Sequence, residues 1–591
     1  MARSVRATGR FRKLLSILLL FILGQTWIIL MSLPQSFRQL EIEQTALIQK
    51  RRQAENRLNA IVDTKYTIKL DQTLQAILAR HPKKEITKDF NYNISASDTI
   101  SVRRPVPDTR YPGCLNITYP METLLTVSVV VIFHNEALST LLRTVHSVID
   151  RSPTDVLKEV ILVDDASTMA YLWDDLDMYL SLVPKARVIR NRQRAGLVRS
   201  RMTGARNASG DVLVFFDAHM ECNTHWLEPL LHMLQTEPTA ILQPLVDIIA
   251  AKTMDYYSFN RGPRFRGGFG WDLRYAWFMV PEYLELAVTS KSAPFITPVL
   301  VGNAIIVRRD HFFKIGGFDE GLDIWGGEHF DLSFKNWMCA GRVLTVPCSK
   351  VGHLFKEGQS YSFNGDRQLI IKKNLARVAE IWMDEYKELF YRVNRARHGN
   401  FPKLDQKSLK IQKDFIKSLN CKPFRWYLRS VLPEQKVPPV DAAFYGEVTN
   451  AKTSACLTVL DDQFIGITFE CFKYRILPFN SFTLTVNGEF KYNDLCVFVD
   501  GHSLFLRVGP CGGARKVIPG RWLFPTEHPD SLTGTLMFEI NGGSEMLCVR
   551  HVTGIVQNIH FREQMAQAIK CNYSANFSAS YQNWYFMYKL V

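Results

Sequence analysis

An α/β domain followed by a smaller all-β module is what the patterning of the 591 residues predicts, and three observations carry that expectation. The first is a set of strand-like runs, Ser128-Val-Val-Val-Ile-Phe133, Val160-Ile-Leu-Val163, Arg187-Val-Ile189 and Val212-Leu-Val-Phe-Phe216. The longer ones lack polar alternation, the pattern of strands covered on both faces. The second is what lies between them: Leu138, Leu141, Leu142, Val145, Val148 and Ile149 recur at helical spacing, so strands and helices alternate as in a doubly wound sheet. The third is a change of texture beyond Pro433, Pro438 and Pro439. There Cys456/Cys471, Cys496/Cys511 and Cys548/Cys571 each begin a short β-rich unit, a threefold repetition that fits a β-trefoil.

Taken in order, the chain opens on Arg3, Arg6, Arg10, Arg12 and Lys13 and then runs from Leu14 to Leu33 without a charge, long enough to cross ~30 Å of hydrocarbon. The positive-inside rule predicts a cytoplasmic tail (1–13), an uncleaved transmembrane signal anchor (14–33) and a lumenal remainder. Residues 34–110 are polar, then Pro-rich, and read as a stem; 111–435 carry the α/β pattern, 436–445 a linker, and 446–591 the all-β module. A net charge of +15 comes without zinc-finger spacing, an RNA-binding signature or a basic block in the body of the chain. No nucleic-acid partner is therefore expected, and the charge suits anionic small molecules. Eleven cysteines and sequons at Asn93, Asn116, Asn207, Asn572 and Asn576 agree with an oxidising compartment. The odd count leaves at least one thiol unpaired, and Cys222 is the choice.

Chemistry is expected where apolar runs break. Val212–Phe216 ends abruptly in Asp217-Ala-His219, and alternation points Asp217 and His219 to one side, toward the crevice beyond the strand ends where ligands of open α/β sheets sit. A carboxylate with an imidazole suits a divalent ion such as Mn2+ that also takes phosphate oxygens. The triplet alone is more commonly a turn in which Asp caps a helix and His packs nearby. Asp165, after Val160–Val163, fits either a ribose or uracil edge or a helix cap. Neither a GxGxxG fingerprint nor a P-loop is present, so NAD and ATP are not indicated. Aromatics and glycines through Phe265-Arg-Gly-Gly-Phe-Gly-Trp271 fit a binding floor or an irregular buried segment. Trp325-Gly-Gly-Glu328 places an apolar face beside a carboxylate, and Val351-Gly-His353 supplies a third candidate ligand. Cys339 and Cys348 flank the segment before it and could staple it.

Together these segments resemble the polypeptide N-acetylgalactosaminyltransferase family from about Tyr111 to the end of the chain. The resemblance is carried by Phe133-His-Asn-Glu136, Leu141-Leu-Arg-Thr-Val-His-Ser147, Ile161-Leu-Val-Asp-Asp165, Arg194-Ala-Gly-Leu-Val-Arg-Ser-Arg201, Asp217-Ala-His219, Trp226-Leu-Glu-Pro-Leu230, Trp325-Gly-Gly-Glu328 and Trp382-Met-Asp-Glu-Tyr386. It implies a GT-A (Rossmann-like) glycosyltransferase domain followed by a ricin B-type lectin β-trefoil. It further implies a single-pass type II protein of the Golgi membrane that transfers GalNAc from UDP-GalNAc to Ser/Thr hydroxyls of secretory polypeptides with retention. By position, Asp217, His219 and His353 would hold Mn2+, and Asp165 and Arg194 would meet the uridine. Gly302, Asn303, Trp325, Lys356 and Tyr361 would line the sugar, diphosphate and acceptor region, and Glu328 would sit with Trp325 at the reacting centre. The family pattern also implies disulfides Cys114–Cys348 and Cys339–Cys421, beside the three pairs within repeats.

Several positions depart from the family and cluster. Val301-Gly302-Asn303 stands where the family has Ala-Gly-Gly at the donor sugar, His329 replaces an Asn, Lys356 an Arg and Gln359 a His. Lys keeps the charge but not the bidentate fork. In the trefoil, the sugar-binding Asp that follows the first cysteine of a repeat is replaced by Thr458, Phe498 and Arg550. Two functional classes follow: an active transferase, and a catalytically weak or inactive Golgi member that binds glycoproteins or other transferases. Retention of all three candidate metal ligands favours the first.

Overall fold

The computed structural model describes residues 63–81, 90–120, 125–258, 264–288, 290–358, 363, 365–460, 463–468, 481–511, 518–526, 531, 533–540, 545–552, 564–571 and 582–589. The described residues 63–74, all helical, fall in one unit and those from 75 onward in a second. Among the described residues no helix is long and apolar enough to cross a membrane; the expected anchor, 14–33, lies outside them.

The second unit is built on a sheet in which β1 (Val127–Phe133), β2 (Leu157–Asp164), β3 (Ala186–Arg190) and β4 (Val212–Asp217) run parallel. β1 is buried throughout and β4 over all but its last residue, as unalternated apolar runs require. The sheet continues through β5 (Met220–Cys222), β6 (Ile241–Ala250) and β7 (Tyr256–Tyr257). A separate hairpin, β8 (Phe265–Phe269) and β9 (Tyr275–Met279), precedes β10 (Phe295–Ile296), β11 (Ala304–Arg308) and β12 (Val343–Phe355). The main order is β10-β12-β6-β11-β4-β1-β2-β3. β11 lies antiparallel between β4 and β6, so the doubly wound plan is interrupted there. Ile132 pairs with Asp217 and Phe133 with Asp164, which brings the carboxyl ends of β1, β2 and β4 level.

The segment read as the end of a stem is part of this domain. Phe90, Tyr92 and Ile94 are buried with Ala137, Ile249, Met254 and Leu354. Arg104 pairs with Glu221 at 2.7 Å, and Asn93 caps the helix Ile94–Thr99 while donating to the Lys252 carbonyl at 3.0 Å. Polar composition suggested a spacer, yet the polar side chains make the attachment: Ser97 and Asp98 are buried and bond Ser139 at 2.8 and 2.7 Å.

After the α/β half, the expected linker is fastened down: Trp271 Nε1 donates to the Lys436 carbonyl at 3.0 Å, and buried Arg266 pairs with Glu434 at 2.8 Å. The next strand, β13, begins at Ala442 (Ala442–Asn450), so the all-β module takes in residues that composition assigned to the linker. Its strands pair antiparallel around a core of its own that includes Trp522 and Trp584. The repeat is visible in those two residues. Trp522 Nε1 donates to Val497 O and Trp584 Nε1 to Val549 O, each at 2.9 Å, and both acceptors directly follow the first cysteine of their repeat. The GT-A and β-trefoil architectures are thus both present. Disulfides join Cys114–Cys348, Cys339–Cys421, Cys496–Cys511 and Cys548–Cys571, so Cys339 and Cys348 are not stapled to each other. Cys222 is buried and in no disulfide; the partner expected for Cys456, Cys471, lies outside the described residues.

Candidate functional site

The end of β4 carries Asp217, and the chain turns at once into β5, so His219 emerges between two strands. β12 shifts register against β6 between Val346 and Lys350 and then pairs His353 with Met220 of β5. Strand pairing therefore brings the third ligand candidate beside the second, with their rings 4.9 Å apart. Ligand atoms of Asp217, His219 and His353 all lie within 4.8 Å of one another, and Asp217 Oδ2 is 3.5 Å from His353 Nε2. A carboxylate oxygen and two imidazole nitrogens at this spacing fit one divalent cation.

Glu136, just past β1, organises the rest. Its Oε2 accepts from His219 Nδ1 at 2.9 Å and from Lys356 Nζ at 3.0 Å; its Oε1 accepts from the Tyr92 hydroxyl at 3.0 Å. Burial works against ionisation here, but the charges and hydrogen bonds of Lys356 and His219 hold its carboxyl well below the usual carboxylate range. An ionised carboxylate only accepts, so Nδ1 of His219 carries the proton and Nε2 is left for a metal. Burial first, then the Lys356 charge, lowers the His219 pKa. Burial tends to raise that of Asp217, but the His353 hydrogen bond and the Arg201 and His219 charges hold it below its ordinary value. Both imidazole and carboxylate are therefore in their ligating forms near neutrality.

A cavity of ≈ 280 Å3 gathers Glu136, Asp217, His219, Trp325, His353 and Lys356, with His134 on its wall. Burial, then the Arg194 charge, lowers the His134 pKa to about 4, so that ring is neutral. Trp325 also lines a larger cavity of ≈ 770 Å3 toward the helix Arg367–Trp382.

The other expected site residues fall around these cavities. Asp165 is 0% exposed, and both its oxygens are taken: Asn191 Nδ2 and the Ala195 amide reach Oδ1 at 3.0 and 2.7 Å, while the Gly196 amide at 2.9 Å and Arg194 reach Oδ2. The loop has wrapped Asp165, which holds the turn that carries Arg194. Gly196 sits at φ +87° with the Ile324 backbone where a Cβ would be, which only glycine accepts. Gly302 (φ +98°) offers its carbonyl to Arg201 Nη2 at 2.6 Å, and the same guanidinium lies 3.4 Å from Asp217 Oδ1. Asn303 follows, 6% exposed, with Oδ1 unbonded, and its carbonyl accepts from the Asp217 amide at 3.2 Å. Val301 does not join this group: it lines a separate apolar cavity with Phe265, Trp277 and Phe355. Glu328 opens the helix Glu328–Cys339, is buried, and accepts from the Gly326 amide at 3.0 Å. Burial opposes its ionisation, but His329 and Arg201 hold its carboxyl below the ordinary value. Tyr361 and Gln359 lie outside the described residues.

Sequence reasoning assigned no role to Glu136, Arg201 or Tyr92. Glu136 stands at a strand end like Asp165 and Asp217, and that position was its signal; buried Arg201 and Tyr92 carried none.

Comparison with known proteins fits this geometry. A family model described as glycosyl transferase family 2 matches residues 128–312, and one described as the N-terminal domain of galactosyltransferase matches 284–357. Polypeptide N-acetylgalactosaminyltransferase 13 of Homo sapiens is 39% identical over 423 residues, covering 70% of this chain and 74% of that one. Polypeptide N-acetylgalactosaminyltransferase 5 of Mus musculus is 41% identical over 384 residues, covering 65% of this chain but 40% of the mouse protein's length. Among solved structures, GalNAc-T7 with UDP, GalNAc and Mn2+ superposes with a TM-score of 0.57 at 29% identity, over 87% of this chain and 90% of that one.

Proposed function

This chain belongs to the polypeptide N-acetylgalactosaminyltransferase family, and from that premise we propose that it transfers GalNAc from UDP-GalNAc to Ser or Thr hydroxyls of polypeptides, with retention at the anomeric carbon. The observation that carries the reading is the convergence of Asp217, His219 and His353 in a cavity that also holds Lys356 and Trp325. The relative solved with UDP, GalNAc and Mn2+ supports Mn2+ as the ion these three residues hold. Bound there, it would offset the charge of the departing UDP. Lys356 adds a fixed positive charge oriented by Glu136, and Arg194, held by Asp165, adds another on the uridine side. Trp325 lines both this cavity and the larger one, on whose side an acceptor would approach. Of the cavity's two carboxylates, Asp217 belongs to the metal set and Glu136 is bonded to His219, Lys356 and Tyr92, so neither is placed as a covalent nucleophile. A basic tail and uncharged stretch before residue 34 support a Golgi type II anchor with the catalytic and lectin halves lumenal.

Transfer of radiolabelled GalNAc from UDP-GalNAc to a panel of Ser/Thr peptides, with sugar release to water measured alongside, tests this. Metal-dependent incorporation into peptide is expected. Hydrolysis without incorporation, or incorporation unaffected by chelation, would overturn it.

A further inference from the structure

The indole of Trp325, which lines both cavities, sits on a bend that belongs to no helix or strand. Ile324, Gly326 and Gly327 lie at φ +42°, +106° and +92°, outside the dihedrals of either. What fixes Trp325 must therefore come from neighbouring elements.

Three successive carbonyls of the bend are met from outside. The Leu197 amide donates to the Ile324 carbonyl at 2.7 Å, from the turn that carries Arg194. On either side of that bond stands one side chain: Asn374 Nδ2 donates to the Asp323 carbonyl at 2.7 Å and to the Trp325 carbonyl at 3.1 Å, while Asn374 Oδ1 accepts from the Asp323 amide at 2.9 Å. Two carbonyls need donors and one amide needs an acceptor, so only a carboxamide in this orientation meets all three. Asn374 is 1% exposed, so without these bonds the same backbone groups have no water to turn to. It projects from the helix Arg367–Trp382, which lies so close that a Cβ on Gly327 would meet Val378 Cγ2 at 3.3 Å.

We propose that Asn374 is a positioning residue for transfer, clamping the backbone before and after Trp325 and so holding the indole between the donor side and the larger cavity. This rests on the transferase reading above and adds a residue to it. Asn374 itself lines neither cavity, so it acts through Trp325. The bend has a second tie from the same helix, the Asp323 carboxylate, which pairs with Lys373 at 2.8 Å and with Arg199 at 2.9 Å. Those ion pairs are partly exposed and hold little, which makes Lys373 the control.

The test labels the full chain with fluorotryptophan, adds Mn2+ and UDP, and reads fluorine NMR; among eleven tryptophans, Trp325 is assigned by the resonance missing from Trp325→Phe. Asn374→Asp keeps the size but sets a carboxylate against two carbonyls, and Asn374→Ala removes the clamp, so a variant that fails to fold leaves the other. Both should move or split the Trp325 resonance and leave the other indoles in place, whereas Lys373→Gln should leave all of them unmoved. In transfer to a Ser/Thr peptide, both Asn374 variants should lose about 10- to 100-fold in kcat while the Kd for UDP changes far less. A Trp325 resonance unmoved in a folded Asn374 variant, a change spread over the other indoles, an equal shift in Lys373→Gln, or a kcat near the wild-type value would overturn the proposal. The resonance is read without turnover, so a wild-type chain that transfers no GalNAc would sink the transferase reading, while the clamp on Trp325 would still stand or fall by the spectrum.

Discussion

At the carboxyl ends of β4 and β12, three ligating side chains converge and a buried carboxylate, Glu136, holds one of them in its working tautomer. In the trefoil, the matching place after the first cysteine of each repeat holds Thr458, Phe498 and Arg550, and not one of them is a carboxylate. Yet its scaffold is intact, with Trp522 and Trp584 making the same hydrogen bond one repeat apart. The contrast separates two things that a family resemblance runs together: apolar cores and strand pairing preserve a fold, while recognition depends on a few polar atoms that can be lost without cost to it. The α/β half shows its fold together with a convergent set of ligand atoms, and the trefoil shows its fold without carboxylates at the matching places.

The strongest way to break the contrast is to remove a polar atom where it matters. Asp217→Ala should abolish metal-dependent UDP binding, a loss of more than about a hundredfold, because two imidazoles without their carboxylate hold a hard divalent ion poorly. Its side chain closes the strand instead of filling the core, so thermal unfolding should barely move. Calorimetric titration of UDP with and without Mn2+ measures this, and unchanged affinity would remove the metal from the site.

The trefoil offers a stability counterpart. Burial raises the Glu447 pKa to about 7, with a Thr449 hydrogen bond at 3.2 Å pulling the other way. The folded state therefore holds this proton more tightly than the unfolded chain, and the folded form loses stability as pH rises from the ordinary carboxyl range through about 7. Glu447→Gln should remove that loss, stabilising the trefoil by on the order of 2–3 kcal/mol at pH 8 and hardly at all at pH 4. Scanning calorimetry at both values would show it as a raised Tm at pH 8 only.

How much of this was legible in the chain follows from distance along it. Strands buried on both faces announce themselves within a few residues, and Asp217 and His219 were visible as the break in such a run. The trefoil showed through cysteine spacing. What could not be read was set by contacts remote in sequence: Tyr92 reaches Glu136 across 44 residues and Lys356 reaches it across 220. That the loop of Arg194 to Gly196 folds over Asp165 was equally hidden, since those hydrogen bonds span 30 and 31 residues.

At the sugar end, Val301 and Asn303 both stand where the family has smaller residues, and the structure divides them. Val301 faces an apolar cavity and its amide bonds Gln243 Oε1 at 2.9 Å, so Val301→Ala should change donor use little. Asn303 is buried beside Asp217 with an unbonded Oδ1. Asn303→Gly should lower KM for UDP-GalNAc by roughly tenfold while leaving UDP affinity alone, since overfilled sites cost ~1–3 kcal/mol. If Val301→Ala gave the larger gain, the crowding would lie on the other side of Gly302.

The smallest expected effect tests how far the metal site's support extends. Tyr92 comes from the segment that composition marked as a stem, and its hydroxyl lies 3.0 Å from Glu136 Oε1 and 2.9 Å from Thr140 Oγ1, with its ring beneath Lys356. Tyr92→Phe keeps the ring and its packing and removes one donor from the carboxylate that orients both His219 and Lys356. The loss should be that of a single buried hydrogen bond to a charged acceptor, ~1–2 kcal/mol shared between stability and metal affinity, seen as a severalfold rise in the Mn2+ Kd. Tyr92→Ala, which also empties the packing, should lower Tm by more without raising that Kd in proportion. A Phe variant that loses Tm but binds Mn2+ like the wild type would show that residues 90–110 only pack against the domain; a raised Kd at unchanged Tm would make this supposed stem a working part of the metal site.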